Sequence, residues 1–124
     1  MNIVLAIFLF IHGFAHIVGF LVYWKIMKNK DVEFKTTIFP GEFNIGGAGI
    51  RVVGLFYLVT ALAFGYLGFE LLAGINIFWE YIWRLTIVSL VLCIIGWPDT
   101  KFGVVANVIL ILFLLVNDHF YWIV

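Results

Sequence analysis

The sequence predicts an all-α integral membrane protein: a four-helix bundle of antiparallel, up-and-down spans with one long connection between the first two. Three observations predict it. Apolar runs, each about twenty residues and so matched to a hydrocarbon core roughly 30 Å thick, occupy residues 3–24, 49–68, 77–97 and 103–122. Hydrophobic residues make up 65% of the 124 positions and charged residues 11%, against about a quarter charged in soluble domains. Trp24, Trp79, Trp83, Trp97 and Trp122 fall near the ends of the runs, where amphipathic rings sit at the membrane surface. The segments between runs are too short to fold separately, so residues 1–124 read as one transmembrane domain with the bilayer as its solvent.

The first run has no basic leader, is too long for a signal-peptide core and shows no small-residue cleavage site, so it reads as a retained span. Its sharpest feature is His12 and His16, four residues apart and on one helical face with Gly19 and Tyr23. Counting 1.5 Å per residue puts His12 near the midplane and His16 about 6 Å from it toward the lysine-rich end. The connection 25–48 mixes charge with Pro40 and the glycines Gly46, Gly47 and Gly49, and its Phe34, Ile38, Phe39, Phe43 and Ile45 are apolar anchors. It reads as a surface hairpin or as a partly re-entrant flap over the bundle's mouth. The glycine run ahead of Arg51 has no preceding strand and no Walker lysine, which leaves a turn or helix start rather than a nucleotide cradle.

In the second span Arg51, Gly54, Leu58, Ala61, Gly65 and Gly68 share one side of a helical wheel, predicting that Arg51 faces the bundle behind small residues that allow close packing. In the third, Glu80 and Arg84 are spaced for a helical ion pair. Pro98 and Asp99-Thr100 predict a tight, capped corner and hence neighbouring third and fourth helices. The fourth carries Gly103, Asn107, Leu110, Leu114, Asp118 and Tyr121 in one stripe, and Asp118-His119 reads as a solvated end. Cys93, the single cysteine, reads as a small buried apolar group and excludes an internal disulfide or CxxC pair. Zero net charge without a charged block excludes a nucleic-acid footprint. Lys25, Lys28, Lys30 and Lys35 lie in the first connection and Lys101 in the third, so the positive-inside bias places both termini outside the cytoplasm.

An ionisable residue inside a membrane is a functional candidate by default. Three readings compete for His12 and His16. They are neutral groups joining helices through Tyr57, Thr60, Asn107 or backbone; or they wall a pocket for a lipophilic molecule with a polar or anionic head, Arg51 being its charge partner; or they hold a metal. The third needs further ligands, and Glu42, Glu80, Asp99, Asp118 and His119 offer none clearly at the right depth, so no metal or other cofactor is specified. His16 is expected near Arg51 and Asn107, and His12 nearer Glu80 and Arg84. Asp99 and Lys101 either pair with each other, cap the fourth helix, or join the polar site.

His12-Gly13-Phe14-Ala15-His16 with Gly19-Phe20, and 97–103 (Trp-Pro-Asp-Thr-Lys-Phe-Gly) running to Ala106-Asn107, resemble two signatures of a family of small bacterial four-span membrane proteins. The resemblance implies the same span layout in a bacterial inner membrane, and that His12, His16, Asp99, Lys101 and Asn107 belong to one motif set. That family has no assigned activity, so no reaction is implied. The sequence therefore points first to a binder of a small lipophilic or anionic-headed ligand, with His12, His16, Arg51, Asn107, Asp99, Lys101 and Tyr57 as the candidate site. A membrane-embedded enzyme using His12 or His16 as acid, base or metal ligand is the second reading. An accessory subunit of a membrane complex, bound to another membrane protein and to no ligand, is the third.

Overall fold

A computed structural model of the chain describes residues 2–29, 34–38, 43–74, 78–97 and 99–120. Pro40, Glu42, Pro98, Tyr121 and Trp122 lie outside the described residues. The order is α1 (Asn2–Tyr23), β1 (Thr37–Ile38), β2 (Phe43–Asn44), α2 (Gly46–Ala73), α3 (Phe78–Ile95) and α4 (Lys101–Phe120). All four helices are long and apolar enough to cross a membrane. Their outward faces fit that solvent: Phe14, Leu62 and Phe102 are 67%, 62% and 73% exposed. In water such surface would aggregate; in lipid it needs no cover.

The tightest seam joins α1 and α2. Leu5, Leu9, His12, His16, Gly19 and Tyr23 are buried on α1 at alternating spacings of four and three. Ile50, Gly54, Tyr57, Ala61, Phe64 and Gly68 repeat that spacing on α2. This is the 3.5-residue rhythm of helices that interlock side chains along a shared line. The antiparallel register can be read from the glycines. A Cβ on Gly68 would meet the Phe10 ring at 2.8 Å, one on Gly13 the Ala61 carbonyl oxygen at 3.0 Å, one on Gly19 the Tyr57 ring at 3.2 Å, and one on Gly54 the Trp24 ring at 2.8 Å. Small residues thus bring the two backbones together where lipid supplies no hydrophobic drive.

The expectation for Arg51 is corrected. Arg51 is exposed, because it lies about 100° round the helix from Ile50, beyond the edge of the buried stripe. Its guanidinium carbon stands 5.7 Å from the Trp24 ring centroid, and the Trp24 indole N–H donates to the Arg51 carbonyl at 2.9 Å. Keeping a charge at the rim avoids the desolvation that burial in the bundle would impose. Helix α2 also outruns the expected 49–68 at both ends. It begins at Gly46, whose φ is +73° and whose N–H donates to Asn44 Oδ1 at 2.9 Å. It runs on to Gly74, a left-handed C-cap whose N–H returns to the Glu70 and Leu71 carbonyls.

The connection ahead of α2 contains a minimal hairpin, with Thr37 opposite Asn44 and Ile38 opposite Phe43. Ile38, Ile45 and Met27 pack on the apolar cluster of Val22, Tyr23, Ile50, Tyr57 and Leu92, so the hairpin covers the lysine-bearing end of the bundle. The larger cluster fills the other end, where Leu9, Phe64, Phe78, Ile82 and Leu114 meet. The α3–α4 corner is tight: a Cβ on Gly96 would lie 2.9 Å from both Tyr57 Oη and Thr100 Oγ1. Thr100 turns its hydroxyl to the Cys93 carbonyl, and Asp99 forms an ion pair with Lys35 at 3.2 Å. Lys101 is exposed, its ammonium 5.4 Å from the Phe102 ring centroid, so the Asp99–Lys101 pair is also corrected. Arg84 stands 5.8 Å from the Tyr81 ring, and among the described residues no Glu80–Arg84 ion pair forms.

Candidate functional site

A layer of polar side chains separates the two apolar clusters. His12, His16, Thr60, Thr86, Ser89 and Asn107 are all buried. Ser89 on α3 is its hub. The His16 Nε2 lies 2.9 Å from Ser89 Oγ; the His12 Nε2 lies 3.1 Å from the same oxygen and 3.3 Å from Asn107 Oδ1. His16 Nδ1 lies 2.9 Å from the His12 carbonyl, within α1 itself.

Hydrogen-bond chemistry fixes the direction of every link. A backbone carbonyl only accepts, so His16 carries its proton on Nδ1, and its Nε2 lone pair must receive the Ser89 hydroxyl proton. The Asn107 amide nitrogen donates to the Gly103 carbonyl at 2.8 Å and faces the Cys93 sulfur at 3.6 Å, which turns Oδ1 toward His12. His12 then carries its proton on Nε2 and shares it between Asn107 Oδ1 and Ser89 Oγ. Protons therefore point one way, from His12 to Ser89 to His16, with both imidazoles neutral. Asn107 reaches His12 rather than His16, which corrects the expectation that it would lie beside His16. Glu80 and Arg84 are exposed and take no part in the layer.

A Ser hydroxyl aimed at an imidazole lone pair is half of a nucleophile and general-base pair. Here the hydroxyl is sealed: Ser89 is 0% exposed and does not border the cavity beside the histidines. The layer is a bonded lock between α1, α3 and α4, not an open dyad.

That cavity, of about 350 Å³, lies between α1 and α4 on the lysine-bearing side of the layer. His12, His16, Gly19 and Tyr57 line its inner wall, and Asn29, Asp99 and Thr100 line its mouth. Ile11, Phe14, Ala15 and Phe102 border it from the bilayer side, all exposed. Among the sequence candidates, the structure thus brings His12, His16, Tyr57 and Asp99 together. Asn107 sits behind His12, while Arg51 and Lys101 do not border the space. Tyr57 places its ring 5.5 Å from that of His16 but donates its hydroxyl to the Leu92 carbonyl at 2.6 Å. A second gap of about 180 Å³ follows along the same α1–α4 seam toward the other face, walled by Val4, Leu5, Phe8, Ile109, Leu110 and Phe113. From Val18 to Val4 this seam spans about 21 Å, at 1.5 Å per residue.

Among the described residues no three His, Cys, Asp or Glu side chains gather as a metal site. Sequence reasoning missed Ser89, Asn29 and the Lys35–Asp99 pair. A mid-span hydroxyl costs little in lipid because it can bond its own helix, so nothing in the spacing of Ser89 singles it out. Compared with known proteins, the chain matches no family model, no curated protein and no solved structure.

Proposed function

We propose that the protein binds a small lipophilic molecule in the α1–α4 cavity, taken up sideways from the bilayer. The observation that carries this reading is the placing of the cavity's wall. Its inner side is mostly apolar but carries the two imidazoles, held rigid by the layer above it, and its outer side is a rim of lipid-facing Ile11, Phe14, Ala15 and Phe102. About 350 Å³ is at the small end of ligand pockets. It accommodates a headgroup and the first carbons of a tail, and the remainder would follow the seam toward the second gap.

The polar groups set the ligand's chemistry. The spare Nδ1 lone pair of His12 is an acceptor, whereas the Asp99 carboxylate at the mouth is clasped by Lys35 and the Ser89 and Thr100 hydroxyl protons are committed within the protein. Arg51, the cation an anionic head would need, stands outside. The preferred ligand is therefore a lipophile with a neutral, hydrogen-bond-donating end, such as a long-chain phenol or alcohol, rather than an anionic one. We place the protein in a bacterial inner membrane with both termini outside the cytoplasm, on the lysine bias of the connections at the Lys35–Asp99 end.

Native mass spectrometry of wild type, Ala15→Phe and Arg51→Gln tests this. Ala15 is exposed at the rim, so a phenyl ring there fills the cavity without burying anything new. A copurifying lipophile present in wild type and Arg51→Gln but lost in Ala15→Phe is expected; loss in Arg51→Gln, or retention in Ala15→Phe, refutes the assignment. A second reading, an accessory subunit without ligand, is favoured by how completely the polar layer bonds to itself. It gains if wild type carries nothing and Ala15→Phe changes nothing.

A further inference from the structure

One ring nitrogen of the polar layer is left over. His12 is 5% exposed and its Nε2 serves Ser89 and Asn107, but its Nδ1 makes no hydrogen bond. Among the described residues only Glu70 Oε2 is a side-chain atom both sealed and unpartnered, so His12 Nδ1 still reaches open space. The space that His12 borders is the α1–α4 cavity. With its proton held on Nε2 by Asn107, the ring offers that cavity a lone pair and no N–H.

The strong donors around the cavity are already spent. The His16 Nδ1–H goes to the His12 carbonyl at 2.9 Å, the Tyr57 hydroxyl to the Leu92 carbonyl at 2.6 Å, and the Thr100 hydroxyl to the Cys93 carbonyl. The Cys93 thiol is a weak donor, and Asn29 stands at the mouth. The wall therefore complements a hydroxyl, which brings the missing proton. It opposes a carbonyl or an ether, which set their own lone pairs against that of His12.

Depth and shape narrow the guest further. His12 stands ten residues into α1 (12 − 2), about 15 Å at 1.5 Å per residue, and so near the middle of a hydrocarbon core roughly 30 Å thick. A phospholipid head would have to carry its charges that far from water, at high cost, whereas a neutral head on a small lipophile does not. Phe14, His16, Tyr57 and Phe102 line the space with His12, and aromatic walls pack well on another ring. A hydroquinone is a neutral ring of this kind that also exists as a pure acceptor, its quinone. A wall with one bare acceptor and no strong free donor sorts the two.

We infer that the α1–α4 cavity is a site for a membrane-soluble hydroquinone, selected against its quinone by His12. One phenolic O–H donates to His12 Nδ1, the ring lies against the aromatic wall, and the tail follows the seam. Asn107 is a positioning residue, because its Oδ1 fixes which nitrogen of His12 is bare. The inference rests on the lateral-uptake cavity proposed above and adds to it the chemistry of the head and the atom that reads it.

The test compares three probes with one tail: decylhydroquinone, its quinone and its dimethyl ether. Each is titrated anaerobically into phosphatidylcholine nanodiscs holding the full chain, and occupancy is read by native mass spectrometry. Wild type is expected to half-saturate with the hydroquinone at about one-tenth of the mole fraction that the quinone or the ether requires. Ala15→Phe should weaken hydroquinone binding about ten-fold. His12→Phe, which keeps a ring but no acceptor, should bind all three probes within about two-fold of one another. Asn107→Leu lets the His12 proton move to Nδ1 and should shrink the preference about three-fold. Loss of stability alone does not move that ratio, so Gly13→Ala, strained at the α1–α2 seam with the layer intact, should keep it. Should His12→Phe fail to fold, the wild-type series and Asn107→Leu still decide. Equal binding of the three probes to wild type, a preference for the quinone, or a preference undiminished in both His12→Phe and Asn107→Leu overturns the inference, and the cavity assignment then stands if Ala15→Phe weakens binding. Binding that ignores Ala15→Phe, or no binding of any probe, overturns both.

Discussion

Replacing Ser89 with alanine removes one oxygen and two hydrogen bonds, and the consequences for the two histidines differ. His12 loses its contact at 3.1 Å but keeps Asn107 Oδ1 at 3.3 Å for the same proton, so its loss is small. His16 loses the only donor to its Nε2 among the described residues, and at 3% exposure it cannot recruit water easily. Leaving a buried acceptor unsatisfied costs about 1–3 kcal/mol, and interhelical hydrogen bonds in membranes average nearer 0.6 with a ceiling about 1.7. Together these put Ser89→Ala at about 2 kcal/mol of lost stability, of which about 1.5 belongs to His16. The reverse truncation, His16→Phe, leaves a hydroxyl that can turn back to the carbonyl one turn earlier in α3, so the Ser89 side of the bond loses little. A double-mutant cycle of Ser89→Ala with His16→Phe should therefore show a coupling of about 1 kcal/mol. Reversible unfolding in bicelles or mixed micelles measures all three variants. A Ser89→Ala loss below about 0.5 kcal/mol, with a coupling indistinguishable from zero, would refute the directed His12–Ser89–His16 chain.

Three further outcomes are expected. Lys35→Ala or Asp99→Asn should cost no more than about 1 kcal/mol, the worth of a partly screened pair, while trypsin cuts the first connection several-fold faster; the swapped pair Lys35→Asp/Asp99→Lys should restore part of the protection, and failure of either single change to speed cleavage argues against the clasp. Gly13→Ala should destabilise by about 1–2 kcal/mol, because its Cβ would meet a backbone oxygen at 3.0 Å and Phe64 Cβ at 3.1 Å, whereas Gly65→Ala, with open space beside it, should be neutral or better in the same unfolding assay. Cys93 is 2% exposed, so maleimide should label it slowly in the folded protein and rapidly after unfolding; rapid labelling in the folded state would contradict the closed α3–α4 corner.

The bundle was legible because bilayer thickness translates into run length, and nothing in this chain interrupts the four runs before their ends. The inward turn of His12 and His16 was legible for a related reason: two imidazoles one turn apart on an apolar helix have nowhere else to go. Arg51 shows the limit of the helical wheel. Gly54, Ala61 and Gly68 do lie on the buried face, but a residue three positions before Gly54 falls at the margin of that face. At a margin, the energetics of a charge decide in favour of the rim rather than the interior. Ser89 and the Lys35–Asp99 pair were not legible at all. Their partners lie 73 and 64 positions away (89 − 16 and 99 − 35), and only the way the helices are arranged brings them together. The spacing of four between Glu80 and Arg84 permits a pair without requiring one, and the guanidinium is found near Tyr81 instead.

The position of the α1–α4 cavity follows from how the helices divide their small residues. Gly13, Gly19, Gly54 and Gly68 all serve the α1–α2 seam, each with a partner side chain or backbone atom where a Cβ would go. Nothing comparable lies between α1 and α4. There Phe8, Leu5, Leu110 and Phe113 meet as large groups of unlike shape, and large apolar groups facing one another in lipid leave gaps that lipid chains can fill at little cost. The polar layer is what prevents that seam from sliding open: Asn107 ties α4 to His12 on α1, while Ser89 ties α3 to both histidines. A bundle so built is rigid across its middle and loose along one side. Replacing Asn107 with leucine should therefore do more than lower stability. It should widen the α1–α4 seam and weaken retention of any lipophile in the cavity, although Asn107 does not border that space. Retention unchanged in a destabilised Asn107→Leu protein would show that the layer holds the fold together without shaping the pocket.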